Sequence, residues 1–199
     1  MTVVPADTAA RPATTRSLSA GEQEELTALG MLEPNGDVVH APRSGAADAR
    51  RPIERHAMHA SAVLNEAYNY GTPASFTRGI RFDLGDKTML MISGTASVDE
   101  AGLTTHVGDF RAQLWRTYRN ITSLLSAEGA TWHDIVRTTC YLRDIERDYR
   151  DFNEIRTEFF TWLDLDPLPA STGIQARLCR EDLLIEIEAI AVIARNERA

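Results

Sequence analysis

Residues 169–193 read PASTGIQARLCREDLLIEIEAIAVI, and this stretch decides the fold. From Leu183 to Ile193 the residues are mostly apolar and β-branched, the pattern of a strand with both faces largely buried. The segment that opens at Pro169 reads as another strand, joined to the last by a tight polar turn. Two carboxylates, Glu186 and Glu188, stand inside the apolar run. Side chains alternate along a strand, so both point to one face. A buried carboxylate is costly unless it is paired or used. An arginine or a backbone amide could satisfy either one, so a structural and a functional role are both open on this pattern.

Upstream lies a helix from about Tyr149 to Leu163, with Phe152, Ile155, Phe159 and Leu163 on one stripe; Pro167 and Pro169 forbid its continuation. Ile135 to Leu142 alternates as a strand. Before it, Asp109 can cap a long helix whose apolar face is Phe110, Leu114, Tyr118, Ile121 and Leu125, ended by Gly129. Arg78–Leu84 and Lys87–Ser93 form a hairpin around Gly85-Asp86. The small hydroxyl residues of Ser93–Ser97 follow, and Ser93 and Thr95 are candidates to bind substrate oxygens or simply to end the strand. Tyr68, Tyr70 and Phe76 crowd the preceding segment, a composition suited to a pocket wall or to packing.

The order strand, strand, helix, strand, helix, strand, strand predicts an α+β domain, a mixed sheet with two helices on one face. Its strands carry apolar residues on both faces, so the uncovered face is expected to be buried in an oligomer. The ordered domain is placed at 61–199. Residues 1–60 read as an N-terminal extension: 1–17 are expected to be disordered, and 18–32 hold a short helix that starts at the capping-box spacing Ser19–Glu22. Pro34–Asp37 is a turn, and 41–52 have the composition of a linker.

A length of 199 residues suits one domain plus such an extension. The net charge of −8 argues against nucleic acid or an anionic membrane as partner. The sequence has no run of eighteen apolar residues and its first residues lack the pattern of a signal peptide, so a cytoplasmic protein is expected. Cys140 and Cys179 read as buried free thiols. His56 and His59 lie three apart, but no acidic or cysteine partner follows at a suggestive distance, and no metal site is expected. Phosphate loops and dinucleotide fingerprints are absent, so no cofactor is expected.

The residues from about 70 to 194 resemble the RidA/YjgF superfamily. The resemblance is carried by Ile92-Ser93-Gly94, Ala127-Glu128-Gly129, Asp134–Thr139, Asp144, Phe152-Asn153, Phe159-Phe160, Pro169-Ala170 and Ile185–Ala191. It implies homotrimers of chorismate-mutase-like subunits with small-molecule pockets between neighbours. It also implies a site glutamate at Glu186 and a role in the cleft for Asn153. Imine-deaminating members follow Pro-Ala with an arginine that clamps the substrate carboxylate; here that position is Ser171, and Thr172-Gly173 departs as well. Serine cannot make the two-pronged contact of a guanidinium. The aromatic site position is Phe76 rather than tyrosine. Other stretches, Tyr70-Gly71, Ser75–Arg78, Ser93–Ser97, His106–Asp109 and Cys179–Leu184, are similar to chorismatase-type enzymes, which act on a cyclic enol-ether carboxylate through a glutamate.

These resemblances imply a cofactor-free biosynthetic enzyme of secondary metabolism. Glu186 would be its acid/base, and Phe76, Arg78, Ser93, Thr95, Asn153, Ser171, Gly173 and Arg177 would bind a small cyclic or aromatic-precursor intermediate. The chemistry would be cyclisation, dehydration, elimination or hydrolysis, with Arg78 or Arg177 as the available substitute for the missing clamp. A RidA-type imine deaminase and a non-catalytic metabolite-binding trimer are the alternatives.

Overall fold

The computed structural model describes residues 18–39 and 53–194. The disorder expected over 1–17 and the linker expected over 41–52 lie outside those residues. The chain divides into two compact units, Met1–Arg51 and Pro52–Ala199.

In the first unit, α1 spans Ala20–Ala28. Its capping box is formed: Glu22 N donates to Ser19 Oγ at 3.2 Å, and Ser19 N donates to the Glu22 carboxylate at 2.7 Å. The helix stops short of Leu32 because Gly30 takes a φ of +70°, a left-handed conformation that glycine adopts readily. Leu32 then pairs with Val38 across the Pro34–Asp37 turn.

The second unit is one six-stranded mixed sheet with two helices. The strands are β1 (Arg55–Ala57), β2 (Gly79–Leu84), β3 (Lys87–Ala96), β4 (Ile135–Leu142), β5 (Ala170–Gln175) and β6 (Ile185–Ala194). Their order is β1-β2-β3-β6-β4-β5. The helices are α2 (Phe110–Ala127) and α3 (Ile145–Trp162).

Three details differ from the reading of the sequence. First, β5 and β6 are not a hairpin. β6 runs antiparallel between β3 and β4, and β5 is an edge strand parallel to β4, so Ala176–Leu184 carries the chain past β4. The apolar run identifies a strand with neighbours on both sides but does not say which neighbours. Second, α3 begins at Ile145, ahead of its apolar stripe. Asp144 is the N-cap, its carboxylate accepting from Arg147 N at 3.0 Å, and Glu146 and Asp148 favour the first turn. Third, β1 adds a short strand ahead of the aromatic segment, pairing Ala57 with Ile80.

The core lies between the sheet and the helices. Ile185, Ile187, Ala189 and Ala191 of β6 are buried there. Tyr118 of α2 stacks on Phe159 of α3 at 4.6 Å, and Trp132 meets both rings edge-on. The opposite sheet face holds Glu186, Glu188, Ile190 and Val192, all half-buried, together with Met91, which is 45% exposed. On the single chain β6 is therefore covered on one face and partly open on the other.

Candidate functional site

The candidate site is a cleft of about 590 Å³ where the end of β3 meets the start of β6. The pairing of β3 with β6 slips between Ile92 and Thr95, leaving a bulge of the kind that re-aims side chains near active sites. Gly94 sits in the bulge and Glu186 lies against it: a Cβ at Gly94 would stand 1.9 Å from Glu186 Oε1. The glycine is thus the space in which the carboxylate rests.

Three segments wall the cleft: the aromatic stretch that includes Tyr70, Phe76 and Arg78, the loop around Gly102, and the crossing segment through Arg180 and Leu183. Buried amides of α2 hold the end of β3 and the crossing segment in place. Asn120 Nδ2 donates to the carbonyls of Ala96 and Val98 at 2.9 and 3.0 Å. Gln113 holds the crossing segment on both sides of Leu183, donating to Asp182 O at 2.8 Å and accepting from Leu184 N at 2.8 Å. Thr104 links the Gly102 loop to the crossing segment by donating to the Asp182 carboxylate at 3.0 Å. Groups held this way are pre-positioned for a ligand.

Arg78 is 4% exposed. Its Nε donates to Asn65 O at 2.9 Å, and Nη2 donates to the Tyr70 hydroxyl. The guanidinium lies over the rings of Tyr70 and Phe76, 5.0 and 5.4 Å from their centroids. Beneath it, the buried Glu66 carboxylate accepts from Arg78 N at 3.3 Å and meets His59 Nδ1 at 2.9 Å. The acidic partner of His59 is therefore seven residues on, beyond the spacing considered from sequence. Arg180 stands 6.0 Å from the Tyr70 centroid and donates to Gly102 O.

Burial lifts the Glu186 carboxyl above the ordinary glutamate range, and the neighbouring Glu188 adds to the effect; Arg78 acts the other way. Burial also lowers the proton affinity of Arg78, opposed by Tyr70 and Glu66. Glu188 accepts a hydrogen bond from Tyr141 Oη at 2.9 Å and is thereby satisfied within the sheet.

Glu186, Phe76 and Arg78 come together in this cleft. Ser93 and Thr95 do not border it. The Ser93 hydroxyl donates to Thr77 O at 2.7 Å, while Thr95 is on the buried helix face and donates to Ser93 O at 2.9 Å. Ser171 accepts from Thr138 Oγ1 at 3.0 Å and from Arg156 at 3.3 Å, and it borders a separate cavity of about 490 Å³ beside α3. Asn153 accepts from the same Arg156. Gly173 lies on β5 opposite Cys140, and Arg177 borders another hollow, with Arg143 and Gln175. Arg180, inside a quoted motif but not singled out, is the second cation of the cleft. Its neighbour Cys179 is exposed, whereas Cys140 is buried. Among the described residues no group of three or more His, Cys, Asp or Glu side chains is placed to hold a metal ion, and no helix is long and apolar enough to cross a membrane.

Comparison with known proteins accords with this architecture. A RutC family protein of Pyrococcus abyssi is 31% identical over 102 residues, 51% of this chain and 76% of its own. The 2-iminobutanoate/2-iminopropanoate deaminase of Salmonella typhimurium is 33% identical over 111 residues, 55% of this chain and 82% of its own. The crystal structure of E. coli TdcF with bound serine superposes with a TM-score of 0.53 at 26% identity, covering 66% of this chain and 98% of that one. The model of the endoribonuclease L-PSP family matches residues 70–193, and with the mixed sheet and its two covering helices this match establishes that the chain belongs to that family, the family of RidA and YjgF.

Proposed function

We propose that the protein is an acid/base enzyme acting on a small unsaturated molecule, with Glu186 taking up and returning the proton. The observation that carries this reading is the position of Glu186: half-buried, facing an aromatic and cationic cleft, with its proton affinity raised by burial. A carboxyl group moved toward neutrality by its surroundings is suited to general acid/base work near neutral pH. In its charged form it accepts a proton from substrate carbon or nitrogen. In its neutral form it donates that proton to the leaving or receiving atom, so that cyclisation, dehydration, elimination and hydrolysis are all within its reach. Tyr70 and Phe76 supply flat walls for a conjugated substrate.

Imine deamination is the second reading. Two observations favour it: the family includes the Salmonella deaminase, and Arg78 and Arg180 share the cleft with Glu186 even though Ser171 replaces the clamp. One pair of assays separates the two readings. Wild-type protein is given 2-iminopropanoate generated enzymatically, beside a deaminase control, and cyclic unsaturated carboxylates in D2O with mass-spectrometric detection. The first reading predicts deuterium incorporation or conversion of a cyclic substrate, with ammonia release about a hundredfold or more below the control. Ammonia release equal to the control would establish the deaminase reading in its place.

A homotrimer is part of the proposal. Ile80 pairs with Met91 and Phe82 with Met89, and these methionines pair with Ile190 and Val192, giving one continuous apolar patch on the sheet face opposite the helices. Such a patch calls for a covering surface. Light scattering at micromolar concentration should give about three times the 22.1 kDa chain mass; a value of 22.1 kDa would refute the assembly.

A further inference from the structure

Glu186 does not stand alone on the open face of β6. Glu188 follows two residues on, on the same face and likewise half-buried. At the rise of a strand the two side chains start about 7 Å apart, inside the Debye length at physiological salt. The register of β4 places Tyr141 opposite Glu186 and Thr139 opposite Glu188. Tyr141 does not spend its hydroxyl on the residue it faces: Oη reaches diagonally along the sheet and donates to Glu188 at 2.9 Å. That hydrogen bond raises the Tyr141 pKa, so the phenol stays protonated and the donor persists through neutral pH. No described residue donates a hydrogen bond to Glu186, so burial and neighbouring charge are left to set its proton affinity.

We infer that Tyr141 and Glu188 tune Glu186: Tyr141 holds Glu188 in place, and the negative charge of Glu188 sets the pH at which Glu186 gives up its proton. The inference rests on the reading of Glu186 as the acid/base and names the residues that regulate it. The other ionisable groups around Glu186 come from the cleft walls. Tyr70 and Arg78 belong to the aromatic stretch, with Glu66 beneath, and Cys179 and Arg180 to the crossing segment. The facing end of β3, Ser93–Ala96, carries none. Arg137 borders a hollow of about 110 Å³ with Glu188, but its guanidinium donates to Thr172 on β5. Arg78 favours the charged form of Glu186, and Glu188 opposes it. A carboxylate that faces cations without such opposition stays ionised and has no proton to donate. Neither Tyr141 nor Glu188 lines the cleft, so both are positioning residues that act through Glu186.

The test is a carbon NMR titration of the full-length protein with isotope-labelled glutamate carboxyls, the Glu186 signal being assigned by its loss in Glu186→Gln. Glu188→Gln keeps the shape and removes the charge. It should lower the Glu186 titration midpoint by about half a pH unit or more. Tyr141→Phe removes one oxygen and releases Glu188 from its place, so it should lower the midpoint by a smaller step. A pair with a merely structural role would change the melting temperature and leave the midpoint where it is. An unchanged or raised midpoint in Glu188→Gln, or a shift there with none in Tyr141→Phe, would overturn the inference. Both substitutions are conservative, and either one reports if the other fails to fold. Turnover in Glu186→Gln keeps this inference apart from the reading on which it rests. Lost turnover there, with an unmoved midpoint in Glu188→Gln, sinks the tuning pair alone. Full turnover there, with a lowered midpoint in Glu188→Gln, sinks the acid/base reading alone.

Discussion

Gly94→Ala is expected to lower turnover by about a hundredfold or more while leaving the sheet folded. The reason is steric. The added Cβ would stand 1.9 Å from Glu186 Oε1 and 2.9 Å from Cδ, well inside contact distance, so the carboxylate must leave its place. The backbone asks for little in exchange: Gly94 does not take a positive φ, and it sits in a bulge where ladder pairing is already interrupted. The cost therefore falls on the position of Glu186 more than on the strand. Displacing a reacting group by about 1 Å is enough to cost about two orders of magnitude in rate. Turnover and melting temperature measured on the same preparation decide the matter. A slow enzyme that melts within about 5 °C of wild type is the expected result. Wild-type turnover would mean that the carboxylate works from somewhere else.

Much of the fold was legible because it is written in local periodicity. The apolar stripe of α2, the strand at β4 and the hairpin around Gly85-Asp86 each follow from spacing alone, and the structure keeps all three, although a register shift between Ile135 and Arg137 breaks the alternation of β4 and leaves Val136 exposed. Long-range pairing has no such local record. Residues 183–193 signal a central strand, but that β3 and β4 flank β6 depends on surfaces distant in sequence. The start of α3 was missed for a different reason: Glu146-Arg147-Asp148 in its first turn are polar, so the apolar stripe begins late and the start is marked by the Asp144 cap and the acidic first turn.

The candidate site divides along the same line. Glu186 stands out in sequence because a carboxylate interrupts an apolar strand, and Phe76 and Arg78 lie in an aromatic segment that suggests a wall. Thr95 looked equivalent to Ser93 until the bulge set its side chain against the helices. Arg180 and Arg177 are indistinguishable by composition. The crossing segment takes one into the cleft and the other to a separate hollow, and the tie from Gln113 to Asp182 and Leu184 fixes that course. A glutamine on the core-facing side of α2 was the available signal for it, since a buried group of that kind must find partners.

In the proposed mechanism Glu186 moves the proton, and Glu186→Gln isolates that role. Glutamine keeps the shape and hydrogen bonding but cannot titrate. Folding raises the Glu186 pKa, so the folded state holds this proton more tightly than the unfolded one. That contribution to stability is present below the unfolded pKa and is lost as pH rises through the folded pKa. At pH 7.5 the variant should accordingly melt at or above the wild-type temperature, with the gap closing below about pH 4. The decisive measurement is turnover by both proteins at pH 7.5 of the substrate that the mass-spectrometric screen identifies. A loss of about a hundredfold or more is expected in Glu186→Gln, in a protein that melts no lower than wild type. Equal rates from two equally folded proteins would contradict it and leave Glu186 a structural residue of β6.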